Sequence, residues 1–209
     1  MRIEELVNKI NTFDAVIVYE SKENVVKKIK QGIFEPLYFS CVEGNERKAY
    51  EKTKNKETFI SHSASIHIPD FTVEEMIETF KCDASGSYEL TLQMIKPFFR
   101  SSISEDVVFI CYLFLHEVGH YFHFNEMGSD VKAYTEQDLL LYKENFNKTQ
   151  QVWVERRNRI QRGITCELTV REKITLQNLR DEYRKIPNEQ IADNFAFAQL
   201  PKVLDSLEK

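Results

Sequence analysis

The chain is organised around residues 107–120, which read VVFICYLFLHEVGH. The first nine of these residues are apolar at every position, so a helix here would have no face suited to water and must lie in the core. A helix that spans a bilayer needs about 20 apolar residues, and this run is too short for that. The last five residues have the pattern H-E-x-x-H. We therefore predict a buried central helix that carries two histidines at its polar end.

The spacing of His116 and His120 indicates a metal site. Residues four apart lie one turn apart on the same helix face, so both imidazoles can reach one ion, at about 2.0–2.1 Å if the ion is zinc. Glu117 then lies beside the ion, where its carboxylate can take a proton from water at the metal. Gly119 leaves room for another segment to approach the helix. Two histidines can also flank a glutamate without any metal, so the interpretation requires a third ligand.

Residues 187–196 offer that third ligand. This stretch begins a predicted helix at its proline, and Glu189 and Asp193 follow one turn apart on one edge of the helix. The small side chains of Ala192 and Ala196 allow a second helix to come close. We predict that Glu189 supplies a carboxylate oxygen to the metal and that Asp193 accepts the N–H of a ligand histidine. The alternative is a surface helix whose acids are favoured by the helix dipole.

Composition and charge narrow the class of protein. The 209 residues are 42% hydrophobic and 29% charged, which is ordinary for a soluble globular protein. A net charge of −5 argues against a general binder of nucleic acid or anionic membranes. No signal peptide is recognisable, and the four cysteines are scattered without a C-x-x-C motif, so we expect reduced thiols and a cytoplasmic location. The expected partner is a protein or peptide substrate, and the oligomeric state stays open.

The rest of the chain predicts an α+β fold dominated by helices, with a small mixed sheet, in a single domain over residues 1–209. Strands are predicted near residues 15–19, 36–42 and 58–68. In residues 58–68 apolar and polar side chains alternate between the two faces of the predicted strand. This strand would hold an extended peptide near the metal, or else it is a half-buried strand with a solvated serine face. Residues 130–186 are predicted to form an inserted helical hairpin between the two motif helices.

Local signals predict where some helices begin and end. Ser104 is expected to begin the central helix as its cap, and residues 169–172 are expected to form a capping box at the start of the second hairpin helix. Pro97 is expected to end or kink a helix that begins near Tyr88.

The two motif stretches together resemble the gluzincin type of zinc peptidase, and more specifically the ImmA/IrrE family of bacterial and phage metallopeptidases. That family pairs a buried helix ending in H-E-x-G-H with a later helix of the form E-x-x-A-(N/D)-x-F-A, often followed by leucine and proline. The matching positions here are residues 116–120, residues 189–196 and the pair Leu200 and Pro201. The resemblance implies a zincin-like metallopeptidase domain, and a small cytosolic protease that acts on regulatory proteins, typically DNA-binding repressors.

The resemblance also implies roles for individual residues. The zinc ligands would be His116, His120 and Glu189, and Glu117 would be the general base. The chain departs from the family in the long segment between the motifs, which leaves Glu126 and Glu136 as alternative third ligands. Glu126 follows His120 by six residues, as the third ligand does in metzincins, but His123 stands where those proteins need a turn-forming glycine.

Two further questions stay open from the sequence. A second donor to the developing oxyanion is expected, and four side chains are candidates: Tyr121, His123, Tyr134 and Tyr183. The function itself has two alternatives to a Zn2+-dependent endopeptidase. One is a non-catalytic, metal-stabilised sensor or protein-binding module, and the other is a structural helical protein without a metal.

Overall fold

The computed structural model describes residues 1–31, 36–41, 48–53, 56–61, 64–83, 85–163 and 169–209. These residues cluster into two units. The first comprises Met1–Tyr134 and Ile191–Lys209, and the second comprises Thr135–Gln190. The second unit corresponds closely to the predicted insertion at residues 130–186. The expectation of a single domain stays a prediction.

The strands that the structure describes all belong to the first unit. In chain order they are β1 (Ile17–Glu20), β2 (Tyr38–Cys41), β3 (Lys48–Thr53), β4 (Lys56–Ser61) and β5 (Ala64–Pro69). One sheet has the order β1–β5–β2, with β1 parallel and β2 antiparallel to β5, and β3 pairs with β4 in a separate antiparallel hairpin. The predicted small mixed sheet is therefore confirmed.

Helices make up most of the described chain. They are α1 (Ile3–Ile10), α2 (Lys22–Lys30), α3 (Val73–Asp83), α4 (Ser85–Ile95), α5 (Glu105–Glu126), α6 (Val131–Gln137), α7 (Leu139–Gln161), α8 (Val170–Tyr183) and α9 (Pro187–Leu207). A short 3-10 helix, Lys96–Phe98, follows α4 at the proline that was expected to end it. The helix-dominated α+β class is confirmed.

Helix α5 is the core helix that its apolar sequence predicts. The Ser104 hydroxyl caps its N-terminus by accepting the Val107 N–H at 3.3 Å, and Glu105 and Asp106 suit the dipole of the first turn. The helix ends before Gly128, which adopts a left-handed conformation with φ of +76°. By length and composition α5 resembles a membrane span, but 67% of its most apolar window is buried within the protein.

The structure differs from the single, half-solvated strand that was predicted at residues 58–68. The region contains two strands, β4 and β5, and β5 lies between β1 and β2. Both edges of β5 are thus already hydrogen-bonded, so it cannot add a peptide strand. Of the face that was expected to be solvated, Ser65 and His67 are instead buried, at 3% and 6% exposure. The remaining histidine of that stretch, His62, lies outside the described residues.

A buried polar network explains why that face can lie inside the protein. The Glu20 carboxylate accepts hydrogen bonds from the Lys28 ammonium group at 2.8 and 2.9 Å and from the Tyr38 hydroxyl at 2.7 Å. It also lies 3.2 Å from Nδ1 of His67. His67 Nε2 is 3.1 Å from the Ser65 hydroxyl. Burial raises the pKa of Glu20, but the hydrogen bonds from His67, Lys28 and Tyr38 outweigh it and lower the pKa from 4.5 to about 2.

The second unit is the helical hairpin of α7 and α8. Its small apolar core contains Val152, Leu176 and Leu179. The predicted capping box at the start of α8 is present, with the Thr169 hydroxyl accepting the Glu172 N–H and the Glu172 carboxylate accepting the Thr169 N–H. The periodicity of residues 139–186 therefore predicted this hairpin correctly.

Candidate metal centre

His116 and His120 face each other on one side of α5. Their Nε2 atoms are 3.1 Å apart, and their rings cross at 87°. Two ligands of a tetrahedral zinc ion at about 2.0–2.1 Å from the metal would lie about 3.3–3.4 Å apart. Both imidazoles are buried, at 7% and 8% exposure. The pair therefore has the geometry of two ligands on one ion, as the i, i+4 spacing predicts.

The other ring nitrogen of His116 is held by Asp193. The distance from His116 Nδ1 to Asp193 Oδ1 is 2.8 Å, and the Tyr112 hydroxyl donates to the same oxygen. An ionised carboxylate only accepts hydrogen bonds, so the proton lies on Nδ1 and the lone pair on Nε2. This is the contact predicted for Asp193. It fixes the tautomer that a metal requires.

His120 is held in the same way by a residue whose role the sequence did not reveal. The Tyr134 hydroxyl lies 3.0 Å from His120 Nδ1. Tyr134 was one of four candidates for the oxyanion donor, and its hydroxyl instead contacts a candidate ligand. The Phe39 ring stacks near the imidazole of His120, with centroids 6.3 Å apart. Both ligand imidazoles thus have a fixed orientation.

Glu189 completes the candidate ligand set. It lies in the first turn of α9. The carboxylate is buried, with 3% of the residue exposed. The ligand atoms of His116, His120 and Glu189 lie within 4.8 Å of one another. This buried group could hold a metal ion, and two imidazoles with one carboxylate fit the donor set of a catalytic zinc site.

The alternative third ligands do not join this group. Glu126 at the end of α5 and Glu136 in α6 are both exposed, and neither belongs to the cluster. His123 lies one turn beyond His120, and its Nε2 is a buried atom with no hydrogen-bond partner in the described part of the chain. The geometry therefore selects Glu189 over the two other acids.

A glycine allows α5 and α9 to approach each other. A Cβ atom built on Gly119 would lie 2.7 Å from the Cα and 2.9 Å from the carbonyl oxygen of Ala192. Such distances are shorter than real contacts, and the contacting atoms are backbone, so no side-chain rotation can relieve them. The role predicted for Gly119 is thereby explained: any larger residue would push apart the two helices that carry His116 and Asp193.

Glu117 lies next to the two histidines but makes a contact of its own. Its Oε2 accepts the backbone N–H of Phe39, on β2, at 2.7 Å. Within the described residues β2 is at the edge of the three-stranded sheet. The contact orients the carboxylate. No sequence pattern predicts this contact, because a backbone N–H leaves no signal in the residue type.

No family model, curated protein or solved structure matches the chain. The resemblance to the ImmA/IrrE family therefore stays a prediction that rests on the two motifs.

Proposed function

We propose that the protein is a zinc-dependent peptidase that hydrolyses a peptide bond in a protein substrate. The observation that carries the proposal is the convergence of two imidazole nitrogens and a buried carboxylate on one point, with Glu117 alongside. Grouping ionisable side chains in an apolar core is costly unless a partner compensates their burial. A divalent cation held by His116, His120 and Glu189 supplies that compensation.

The side chains around this point suit hydrolysis. When bound, zinc supplies Lewis acidity, which lowers the pKa of water to about 7 and polarises a peptide carbonyl. Glu117 accepts the proton of the attacking water and passes it to the leaving amine. The Phe39 N–H keeps the Glu117 carboxylate in one orientation. Asp193 and Tyr134 contact the Nδ1 atoms of His116 and His120, so Nε2 is the nitrogen of each imidazole that would bind the ion.

The proposal is tested first by metal content and then by cleavage. Elemental analysis of the purified protein should find about one zinc per chain, and a His116→Ala variant should lose it. A Glu117→Gln variant should keep its zinc and lose at least about 100-fold in rate, because a general base typically contributes 10²–10⁴-fold. Cleavage is measured by comparing new N-termini in a proteome treated with each protein. Regulatory proteins are the first substrates to examine.

Two results would contradict the proposal. The absence of zinc from protein purified without chelators would show that the three candidate ligands do not form a zinc site. Equal rates of cleavage by the wild type and Glu117→Gln would show that Glu117 is not the general base. Zinc bound by both proteins with no cleavage by either would instead identify a metal-stabilised binding module.

A further inference from the structure

Two tyrosines of the helical hairpin converge on the candidate ligand Glu189. Tyr142 lies on α7 and Tyr183 is the last residue of α8. The Tyr142 hydroxyl donates to Glu189 Oε1 at 2.8 Å and the Tyr183 hydroxyl donates to the same oxygen at 3.0 Å. Their rings pack edge to face, with centroids 5.8 Å apart. Both helices of the hairpin are thus connected to one carboxylate oxygen.

The choice of oxygen matters for metal binding. A carboxylate can coordinate a metal through one oxygen or through both, and each oxygen has two lone pairs. Two hydroxyl donors on Oε1 engage both lone pairs of that oxygen, which favours coordination of a metal ion through Oε2. Glu189 is buried, and a glutamate side chain loses rotational freedom when it is held in one position. The tyrosines therefore hold the carboxylate in position before the metal arrives.

We propose that Tyr142 and Tyr183 are positioning residues that hold Glu189 as a one-oxygen metal ligand. The inference rests on the proposed metal site. It assigns a role to the long segment between the two motifs, which is the part of the chain that departs from the family resemblance. The hairpin brings two hydroxyl groups to the third ligand, just as Asp193 and Tyr134 serve the first two.

The surroundings of the two tyrosines permit a clean test. Their rings line a cavity of about 420 Å³ together with Asn145, Phe146 and Thr149. A change to phenylalanine removes the hydroxyl and keeps the ring that packs there. Asp138 also anchors the start of α9 by accepting the Asn188 N–H at 3.0 Å, a contact that does not involve the tyrosine hydroxyls.

The experiment compares zinc affinities of Tyr142→Phe, Tyr183→Phe and the double variant by competition with a chromophoric chelator. Removing groups that orient a metal ligand typically costs 10–100-fold in affinity, and we expect a loss in that range for the double variant and a smaller loss for each single one. Tyr88→Phe is the matched control, because it removes a hydroxyl that contacts Asp106 at the start of α5. It should bind zinc as the wild type does.

A second readout separates positioning from general stability. Cobalt in place of zinc gives a visible spectrum that reports the number of ligand atoms, and we expect this spectrum to change in the double variant as Oε1 also becomes a ligand. Wild-type affinity and an unchanged cobalt spectrum in the double variant would overturn the inference. If that variant fails to fold, the single variants decide by the same criteria. A wild type that binds zinc but cleaves nothing contradicts the peptidase alone, whereas a wild type that binds no zinc contradicts both.

Discussion

At the scale of single residues, each candidate ligand also has a hydrogen-bond partner outside the ligand set. Asp193 holds His116, Tyr134 holds His120, and the tyrosines of the hairpin hold Glu189. These contacts fix tautomers and orientations, and they lie in a region from which water is largely excluded. A site built in this way is preorganised for an ion, because little side-chain freedom remains to be lost on binding.

The Asp193 contact leads to the first residue-scale prediction. Asp193→Asn removes the negative charge beside His116 while keeping the shape, so the imidazole becomes a weaker ligand. We expect zinc affinity to fall about 10–100-fold in chelator competition. Asp205→Asn makes the same chemical change on the same helix, at a side chain that is 62% exposed, and it should have no effect. Equal affinities for the two variants would show that Asp193 does not support the ligand.

At the scale of elements, the site depends on the close contact of α5 with α9. Gly119→Ala places a methyl group against the backbone of Ala192. Overpacking of this kind typically costs 1–3 kcal/mol, against a gain of about 1 kcal/mol in helix propensity. We expect a lower free energy of unfolding in urea and a weaker affinity for zinc.

A second substitution makes this prediction sharper. Ala192→Gly removes a side chain but leaves the Cα and carbonyl oxygen that the new methyl group would meet. Adding Ala192→Gly to Gly119→Ala should therefore not restore zinc affinity. Restoration would mean that the contact is between side chains and that the helices can adjust.

The sheet and α2 are joined by the Glu20 network, which predicts a dependence of stability on pH. The pKa of Glu20 is lowered in the folded protein, so the stability that its ionised form contributes is fully present above about pH 4.5. It is lost as the pH falls through 4.5 towards 2. We expect wild type to lose more unfolding free energy than Glu20→Gln over this interval. Parallel pH profiles of the two proteins in urea denaturation would contradict the prediction.

At the scale of the whole molecule, an ion held by residues far apart in sequence should stabilise the folded chain. A ligand that binds only the folded state contributes about 2.7 kcal/mol at 100 times its dissociation constant. We therefore expect zinc to raise the melting temperature of the wild type in calorimetry. Glu189→Gln should reduce that rise, because an amide oxygen is a weaker ligand than a carboxylate.

The alternative ligands provide the controls for this measurement. Glu126→Gln and Glu136→Gln change exposed acids that lie outside the cluster, so their zinc response should equal that of the wild type. A response that survives Glu189→Gln but disappears in either control would reassign the third ligand.

Local sequence was sufficient for the elements whose signals are short-range. The serine cap of α5, the capping box of α8 and the presence of helices α7 and α8 were all predicted correctly. The burial and order of the strands were harder to predict. Alternation wrongly predicted a solvated face for β5, whose residues are all buried. It also did not reveal that β5 lies in the centre of the sheet, because strand order depends on pairing with segments far away in the chain.

The sequence by itself determined the pair of histidines and the adjacent glutamate, because positions within one helical turn have only one spatial arrangement. It also indicated the third acid, through a second motif whose small residues suit a close helix contact. Only the tertiary structure decided that Glu189 joins the pair while Glu126 and Glu136 do not. It alone revealed Tyr134, Tyr142, Tyr183 and the Phe39 amide at the site. Those groups act through contacts between distant segments, and a hydroxyl or a backbone N–H has no sequence pattern that specifies its partner.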